Sequence, residues 1–172
     1  TFNDLYYTFI GSVYLKPEET TQYNVGFTYN QPFDGVLSLF TCQVDGYFNQ
    51  VMNKIIAMPT SNFFRWTMIN LGYVEIVGTD VMVQTNFTIA KQVGLNARLN
   101  YTYHQARDLG NPSSPYYGGQ IPYIHWHSAS LVLNALVKSW SFNYSFIYVG
   151  ERYRTSANIP VNYEQPWNTH DV

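Results

Sequence analysis

An eleven-residue stretch of this sequence alternates strictly between apolar and polar side chains. The residues of one parity are all apolar: Val93, Leu95, Ala97, Leu99, Tyr101 and Tyr103. The residues between them are Gly94, Asn96, Arg98, Asn100 and Thr102. Because successive side chains of a β-strand point to opposite faces, this pattern predicts a strand with one apolar face and one polar face.

The apolar face of this predicted strand is long. At about 3.3 Å per residue, eleven residues tilted by roughly 45° rise about 25 Å, the height of the apolar band of an outer-membrane barrel. Soluble sheets usually have strands of about five or six residues. A second stretch shows the same alternation and places five aromatic residues on one face: Trp140, Phe142, Tyr144, Phe146 and Tyr148. Both stretches favour strands that cross a membrane.

Six strand-like segments follow one another along the chain. They are Thr21–Asn30, Val36–Asn49, Thr67–Phe87, Val93–Gln105, His127–Val137 and Trp140–Arg152. No segment carries the 3.6-residue apolar spacing of an amphipathic helix. We therefore expect an all-β fold in which the strands form an antiparallel meander.

The predicted connections alternate in length. The short ones are Gln31–Gly35, Thr88–Gln92 and the residues around Lys138, and the long ones are Val51–Trp66 and Ala106–Trp126. Outer-membrane barrels have short turns on the periplasmic side and longer loops outside. The order short, long, short, long, short therefore predicts that the long connections face the medium.

Glu75 interrupts the apolar parity of the Thr67–Phe87 segment. A carboxylate that faces lipid at mid-depth is costly, and two explanations compete. Either Glu75 lies above the membrane on a strand that projects outward, or Gly78 marks a β-bulge that changes the phase of the strand. We favour the projecting strand, because Val81 and Val83 continue the parity below Glu75.

The composition favours a sheet with one apolar face over a soluble domain whose whole surface contacts water. Charged residues make up 12% of the 172 residues, about half of the roughly 25% of soluble domains. Aromatic residues reach 18%, and the net charge is only -2. No run of 18 apolar residues occurs, which excludes a helical membrane span. Without a cluster of Lys and Arg, we do not expect nucleic acid as a partner.

A series of different short motifs is spread along nearly the whole chain. The first are Phe2–Tyr7 (F-x-D-L-Y), Leu15–Glu18 (L-K-P-E) and Tyr23–Phe27 (Y-x-x-G). The later ones are Asn70–Gly72 (N-x-G), Gly78–Asp80, Gln120–His127 and Tyr148–Tyr153. As an ordered series, they resemble the barrels of TonB-dependent outer-membrane receptors, in which Glu is commoner at the position of Asp80.

The resemblance implies a 22-stranded transmembrane β-barrel that encloses an N-terminal plug. Such a receptor sits in the outer membrane of a Gram-negative bacterium, in contact with the lipid bilayer. It binds a scarce nutrient of the ferric siderophore, haem or cobalamin class and imports it with energy from the TonB complex of the inner membrane.

We expect residues 1–172 to be a fragment of the barrel domain. Thr1–Asp4 does not look like a signal peptide, so the start is expected to be an internal cut. Neither the plug, through which the TonB complex would act, nor an aromatic C-terminal strand is recognisable, since the chain ends Trp167–Val172. About six strands are fewer than the roughly eight of the smallest closed barrel. We expect the open edges to pair between chains.

Few residues of the sequence suggest metal binding or catalysis. His125 and His127 stand two residues apart, a spacing that can chelate zinc or copper in an extended chain. With no third ligand nearby, a loop residue and a strand-start residue are the better interpretation, and we predict no metal site. There is no G-x-S-x-G elbow, and Cys42 has no adjacent His. We therefore predict neither an enzyme nor a resident cofactor.

Aromatic residues have two interpretations. Tyr and Trp at strand ends, such as Trp66 and Trp126, allow ligand stacking or membrane-interface girdles as their role, and the girdles explain them more simply. Arginine and aromatic residues of the long connections suit contact with anionic, ring-bearing ligands. The predicted ligand contacts are Arg65, Arg107, Tyr116, Tyr117, His125, His127 and Arg154, with Phe63 and Phe64 as further loop aromatics. Alternatively, Arg107 pairs with Asp108 and Arg152 pairs with Glu151.

The sequence therefore predicts an outer-membrane receptor for active nutrient import. The alternative is a soluble extracellular β-sandwich that binds carbohydrate on its aromatic rings. A sandwich accounts for the strands and the tyrosines. It does not account for eleven-residue apolar faces or for the regular alternation of short and long connections.

Overall fold

The described part of the protein is a single antiparallel sheet with two small hairpins at one end. The computed structural model describes residues 12–59 and 65–172. Its strands are β1 (Glu19–Pro32), β2 (Leu37–Met52), β3 (Ile55–Pro59), β4 (Trp66–Asn70), β5 (Tyr73–Ala90), β6 (Val93–Asp108), β7 (His127–Val137), β8 (Trp140–Val149), β9 (Arg152–Tyr153), β10 (Tyr163–Glu164) and β11 (Trp167–Asp171). A short 3-10 turn covers Pro160–Asn162. Within the described ranges, no helix has the length and apolarity needed to cross a membrane.

Seven strands form the main sheet in the order β1-β2-β5-β6-β7-β8-β11. All neighbouring pairs in this sheet are antiparallel. The pairs β3-β4 and β9-β10 form the two separate hairpins. The predicted all-β meander is confirmed, because each strand of the sheet pairs with the strand that precedes it within the sheet.

The register aligns side chains of the same character across the strands. One row runs through Val81, Tyr101, Ala129 and Tyr148. The neighbouring row on the opposite face begins with Asp80, Thr102 and Ser128. The period-two pattern of each strand thus becomes one apolar face and one polar face of the whole sheet.

The apolar face is uncovered. Val25, Phe27, Trp140 and Phe142 on this face are all more than half exposed. Soluble proteins rarely leave such a large contiguous apolar surface in contact with water. Strands of 14 to 18 residues, as in β1, β2, β5 and β6, are long enough to cross a bilayer when tilted. This face is therefore suited to contact with lipid.

The polar face is a network of side-chain hydrogen bonds. Asn96 donates to Asn86 on the strand before it, and Asn134 donates to Asn96 from the strand after it. The Thr102 hydroxyl donates to Asp80 Oδ1 over 2.6 Å. Such cross-strand bonds satisfy polar groups that have no lipid contact and hold the strands in register.

The connections lie at two ends of the sheet according to length. The turn end carries residues 33–36, 91–92 and 138–139. The loop end carries a hairpin at 53–72, which includes β3 and β4, and two loops at 109–126 and 150–166. The predicted alternation of short and long connections is confirmed, and a third long connection follows β8.

The predicted single strand Thr67–Phe87 is wrong. Leu71 and Gly72 divide it into β4 and β5. Beyond Met52, the ladder continues from the Asn53 N–H to the Gly72 oxygen at 2.7 Å, but Asn53 takes a left-handed φ of 55°. This bend turns β3 and β4 away from the sheet and makes them a separate hairpin at the loop end.

Gly78 does not mark a bulge. The pairing of β5 with β2 and with β6 continues through Gly78 without a shift. The register shifts of the sheet lie instead near the turn end, between Leu37 and Leu39 and between Thr88 and Ala90. The phase change proposed as an alternative for Glu75 therefore does not occur, and Glu75 lies in the upper part of β5.

The sheet has one strand more than the sequence predicts. Trp167–Asp171 pairs with β8 as β11, with Trp167 opposite Val149 and Asp171 opposite Ser145. Its outward residues are Asn168 and His170 rather than apolar side chains, so period-two patterning did not reveal it. The His170 ring packs 4.9 Å from Phe146, and the Tyr144 hydroxyl bonds its Nδ1 at 2.8 Å.

A small apolar core lies at the loop end, on the otherwise polar face. It consists of Val51, Val74, Ala106 and Ile121, all at most 4% exposed. The first three stand at the upper ends of β2, β5 and β6, and Ile121 comes from the 109–126 loop. The upper strand ends are apolar on this face because the loop folds back over them.

Candidate functional site

The three long connections meet at the loop end and are fastened to one another. The Leu109 N–H donates to the Tyr73 oxygen at 2.8 Å, which extends the β5-β6 ladder into the loop. Immediately above it, the backbones of Gly72 and Gly110 approach so closely that a Cβ on either would lie 3.0 Å from the other's Cα. The 53–72 hairpin and the 109–126 loop therefore lie in direct backbone contact.

Gln120 anchors the 109–126 loop to β6. Its side chain is 4% exposed, and its Oε1 accepts the Ala106 N–H at 2.9 Å. Its Nε2 donates to the backbone oxygens of His104 and Ile124. The Ile121 N–H donates in turn to the Ala106 oxygen at 2.9 Å. The amide side chain thus takes the place of a neighbouring strand at the upper end of β6.

Asn158 joins the 150–166 loop to the 109–126 loop. Its Oδ1 accepts the Gln120 N–H at 2.6 Å, and its Nδ2 donates to the Gln120 oxygen at 3.1 Å. A second link is the Tyr123 N–H, which donates to the Tyr153 oxygen at 2.8 Å. A Cβ on Gly119 would lie 3.1 Å from Asn158 Oδ1, so the absence of a side chain there allows the contact.

Tyr123 adopts a backbone conformation that is unusual for its residue type. Its φ is 63°, and Pro122 precedes it in a turn. In a type II turn, proline commonly precedes the residue of positive φ, and that residue is usually glycine. A non-glycine residue in the left-handed region costs about 1 kcal/mol. The Tyr123 ring lies 5.5 Å from the Trp66 ring of the 53–72 hairpin and is 38% exposed.

Further aromatic rings pack between the loops. Trp126 meets Tyr153 edge-on at 5.7 Å, and Tyr153 meets Tyr163 at 6.0 Å. The sequence predicts Trp66 and Trp126 as residues of a membrane-interface girdle. The structure places both rings against tyrosines of the long connections, and their role in a girdle stays a prediction.

Charged side chains at the loop end are paired across strands. Arg107 contacts Glu75 at 3.4 Å, directly opposite it on the neighbouring strand. Arg152 contacts Glu164 at 2.9 Å, and Arg154 contacts the same carboxylate at 3.4 Å. The alternative Arg107–Asp108 pair is therefore wrong, because neighbouring residues of a strand point to opposite faces. The alternative Arg152–Glu151 pair is wrong because Arg152 contacts Glu164.

The two histidines of His125-Trp126-His127 do not share a face. His127 begins β7 on the apolar face, where its Nδ1 bonds the Tyr101 hydroxyl at 2.8 Å. His125 lies before the strand and lines a hollow of about 360 Å³ on the polar face, together with Asn100, Thr102, Ser128 and Ser130. Burial, reinforced by the Arg152 charge, lowers the pKa of His125 below its ordinary value. His125 is therefore neutral at pH 7.

Metal-binding potential is limited in the described ranges. Residues 12–59 and 65–172 contain no group of three or more His, Cys, Asp or Glu side chains that could hold an ion. His104 Nε2 is buried without a hydrogen-bond partner among the described atoms.

The structure places most of the predicted ligand contacts at the loop end. Tyr116 and Tyr117 are 45% and 47% exposed in the 109–126 loop, and Arg154 lies in the 150–166 loop. Arg65 is exposed next to Trp66. Arg107 and His127 instead face the apolar side and are engaged by Glu75 and Tyr101. Phe63 and Phe64 lie outside the described residues.

Sequence reasoning missed Gln120, Asn158 and Tyr123. The first two act through hydrogen bonds between segments 38 residues apart, which no local pattern encodes. Pro122-Tyr123 occupies a turn position at which Pro-Gly is the usual sequence. The sequence alone does not mark Tyr123 as unusual, because the departure becomes evident only when its positive φ is known.

Comparison with known proteins agrees with this architecture. The chain is 27% identical over 162 residues to the vitamin B12 transporter BtuB of Photobacterium profundum. The match covers 92% of the chain and 24% of that relative, so the chain spans about a quarter of the relative's length. The family model described as TonB dependent receptor-like, beta-barrel matches residues 1–172. The chain therefore belongs to the β-barrel family of TonB-dependent receptors, which are proteins of the bacterial outer membrane.

Proposed function

We propose that this chain forms part of the barrel wall of an outer-membrane receptor that captures a scarce nutrient and imports it with energy from the TonB complex. The observation that supports it best is the division of the sheet into an uncovered apolar face and three interlocked long connections at one end. A wall in lipid needs the first feature, and capture from the medium needs the second.

Nutrient capture is assigned to the loop end. The proposed contacts are the predicted residues that lie there on the loops or the polar face: Arg65, Tyr116, Tyr117, His125 and Arg154. Arg107 and His127 have a weaker claim, because Glu75 and Tyr101 already engage them on the apolar face. Import requires binding and release but no covalent chemistry, so we propose a transport receptor rather than an enzyme.

The nutrient proposed first is vitamin B12, because a relative of this chain carries that name. Ferric siderophores and haem are the other candidates. The neutral imidazole of His125 on the polar face would suit a metal chelate with an open coordination position.

The sheet is proposed to be one arc of a closed barrel. The outer edges of β1 and β11 have no strand partner among the described residues. Unpaired backbone groups in hydrocarbon are costly, so transmembrane sheets close on themselves. We propose that further strands of a longer protein complete the barrel, which the family resemblance puts at 22 strands, and that a plug fills its lumen.

The soluble β-sandwich is not supported. A sandwich buries the apolar face of one sheet against a second sheet. Here seven strands lie in one sheet, and their apolar face stays exposed. The two additional hairpins have strands of only two to five residues and lie at the loop end.

Growth on a limiting nutrient tests the proposal. The full-length receptor would be expressed in a strain that lacks its own receptors, with vitamin B12, haem or a ferric siderophore as the limiting supply. Wild-type receptor should restore growth on one of them, and shortening the 109–126 loop should abolish that growth. A matched control inserts two glycines at residues 138–139 of the turn end, which should leave uptake unchanged. Uptake that survives shortening of each long connection in turn would refute capture by the loops.

A further inference from the structure

We infer that residues 16–18 form a catch that holds β3 and β4 in place, and that these two strands are a movable arm of the loop end. The arm is Ile55–Pro59 paired with Trp66–Asn70. Residues 16–18 belong to the L-K-P-E motif of the sequence, which by itself does not reveal what they do. The consequence of the device for uptake rests on the proposed receptor function, whereas the device itself does not.

The arm is joined to the sheet by a narrow neck. Below the neck, β2 and β5 each have a strand partner on both sides. Above Met52 and Tyr73, backbone pairing in the described part joins the two chains only to each other, as where the Asn53 N–H donates to the Gly72 oxygen at 2.7 Å. Asn53 also bends the neck with its φ of 55°. A two-stranded ribbon is marginally stable by itself, so contacts from outside the ribbon must fix the direction of the arm.

Asn70 supplies the neutral half of the catch. Its Oδ1 accepts the Lys16 N–H at 2.8 Å, and its Nδ2 donates to the Lys16 oxygen at 3.0 Å. The side chain thus binds both backbone groups of one residue, as a neighbouring strand would. The same Nδ2 donates to the Asn53 oxygen at 2.7 Å. Asn70 therefore ties the catch to the bend of the neck.

Glu18 supplies the charged half of the catch. Its carboxylate contacts the Lys54 ammonium at 3.0 Å and accepts the Ile55 N–H at 2.6 Å. The backbone pairing of β1 with β2 ends at Glu19, and Pro17 has no N–H with which to continue it along the arm. Side chains therefore replace the backbone ladder at this point, and they can let go of the arm while β1 stays paired.

The other side of the arm faces the 109–126 loop. Trp66 packs against Tyr123 at 5.5 Å, and the backbone of Gly72 contacts that of Gly110. These are packing contacts rather than hydrogen bonds, so the arm can part from the loop there without leaving a buried polar group unpaired. The catch adds directional, partly charged bonds to this packing, and its release leaves the arm more weakly held.

The chain enters β1 through the catch. A displacement of the segment before Lys16 would therefore act on the arm directly, through Asn70 and Glu18. With strands of five residues, the arm is about 16 Å long, so a rotation of roughly 20° about the neck would move its far end by about 5 Å. This movement would change the width of the gap between two of the long connections, and with it the access of a nutrient to the lumen.

The test measures the distance between the arm and the 109–126 loop in the purified full-length receptor, without any nutrient. Spin labels are attached through Met58→Cys on the arm and Ser113→Cys on the loop, after Cys42 and any other cysteine of the receptor have been replaced by serine. Pulsed electron resonance then gives the distribution of distances. Heat-dependent migration on an electrophoresis gel shows that each variant still contains a folded barrel.

The catch variants are Glu18→Gln, Asn70→Ala and the two combined. Glu164→Gln is the matched control, because Glu164 has the same side-chain exposure as Glu18, 32%, and also forms an ion pair at the loop end. Each catch variant should increase the ratio of a longer distance to the wild-type distance by roughly five- to thirtyfold, as expected for one or two lost hydrogen bonds. The control should show the wild-type distribution.

A combined variant with the wild-type distribution would overturn the catch, as would an equal change in Glu164→Gln. If the combined variant does not fold, Glu18→Gln decides alone, because it removes the charge and keeps the size of the side chain. Since no nutrient is present, a negative result leaves the receptor function standing. A failure of the growth experiment, conversely, leaves the catch standing.

Discussion

Asn158 is predicted to couple two loops that the sequence presents as independent. Asn158→Ala removes the acceptor of the Gln120 N–H and the donor to the Gln120 oxygen. It leaves Tyr123–Tyr153 as the remaining direct backbone link between the loops that the structure shows in its described part. Each lost bond contributes about 1 kcal/mol net, so the closed arrangement should lose about 2 kcal/mol.

Hydrogen exchange on the full-length receptor measures this loss. A change of about 2 kcal/mol corresponds to roughly 30-fold faster exchange of an amide that opens locally. The Gln120 and Ile121 amides should show it, and the Asp45 amide in mid-strand should not. Asn111→Ala is the control, since Asn111 Oδ1 accepts the Ser113 N–H at 3.0 Å within the same loop.

The pattern of exchange decides the outcome. Faster exchange in both loops with Asn158→Ala, and in neither with Asn111→Ala, would establish that the two loops open together. Faster exchange confined to the 150–166 loop would refute the coupling, because Gln120 would then be held by β6 alone. Preorganised loops lose less entropy on binding a ligand, so Asn158→Ala should also weaken nutrient binding.

Three further predictions concern stability and pH. Gly78→Ala should destabilise the barrel by about 1 to 3 kcal/mol in urea unfolding, because its Cβ would overlap the Tyr47 ring and lie 2.6 Å from the Tyr103 oxygen; a neutral result would contradict this and show that both neighbours can shift. Glu75→Gln should cost less than about 1 kcal/mol in the same assay, since the Arg107 partner is 41% exposed. The pKa of His125 is lowered in the folded protein, so the unfolded chain binds the proton more tightly. Amide protection in the 109–126 loop should therefore be full above the ordinary histidine pKa of about 6.5 and fall below it, whereas His125→Asn should weaken this dependence.

The sheet was predictable from the sequence because the alternation of apolar and polar residues that defines each strand is a local pattern. Val93–Asp108 shows why: period two fixes the faces, and the apolar face continues for the length of a bilayer crossing. The β11 strand was missed for the same reason, since Asn168 and His170 carry no apolar signal. Its pairing is set by the edge of β8, a partner that lies outside the local pattern.

The loop end was not predictable from local pattern. Ala106 and Val74 are apolar on the polar face, and only the return of Ile121 over them explains why. Gln120 and Asn158 are ordinary loop residues by composition. Their roles depend on contacts between segments far apart in sequence, which neither periodicity nor turn chemistry reports.

Three departures from the local sequence rules lie at the loop end of this wall. Glu75 breaks the apolar parity there, Asn53 bends the ladder with a left-handed φ, and Tyr123 stands where a turn would take glycine. At the turn end, Lys138 also has a positive φ, but two-residue hairpin turns require that geometry. Sequences usually follow local preferences throughout an element and break them at functional sites. We place nutrient capture at the loop end, where these three departures accompany the contacts that join the long connections.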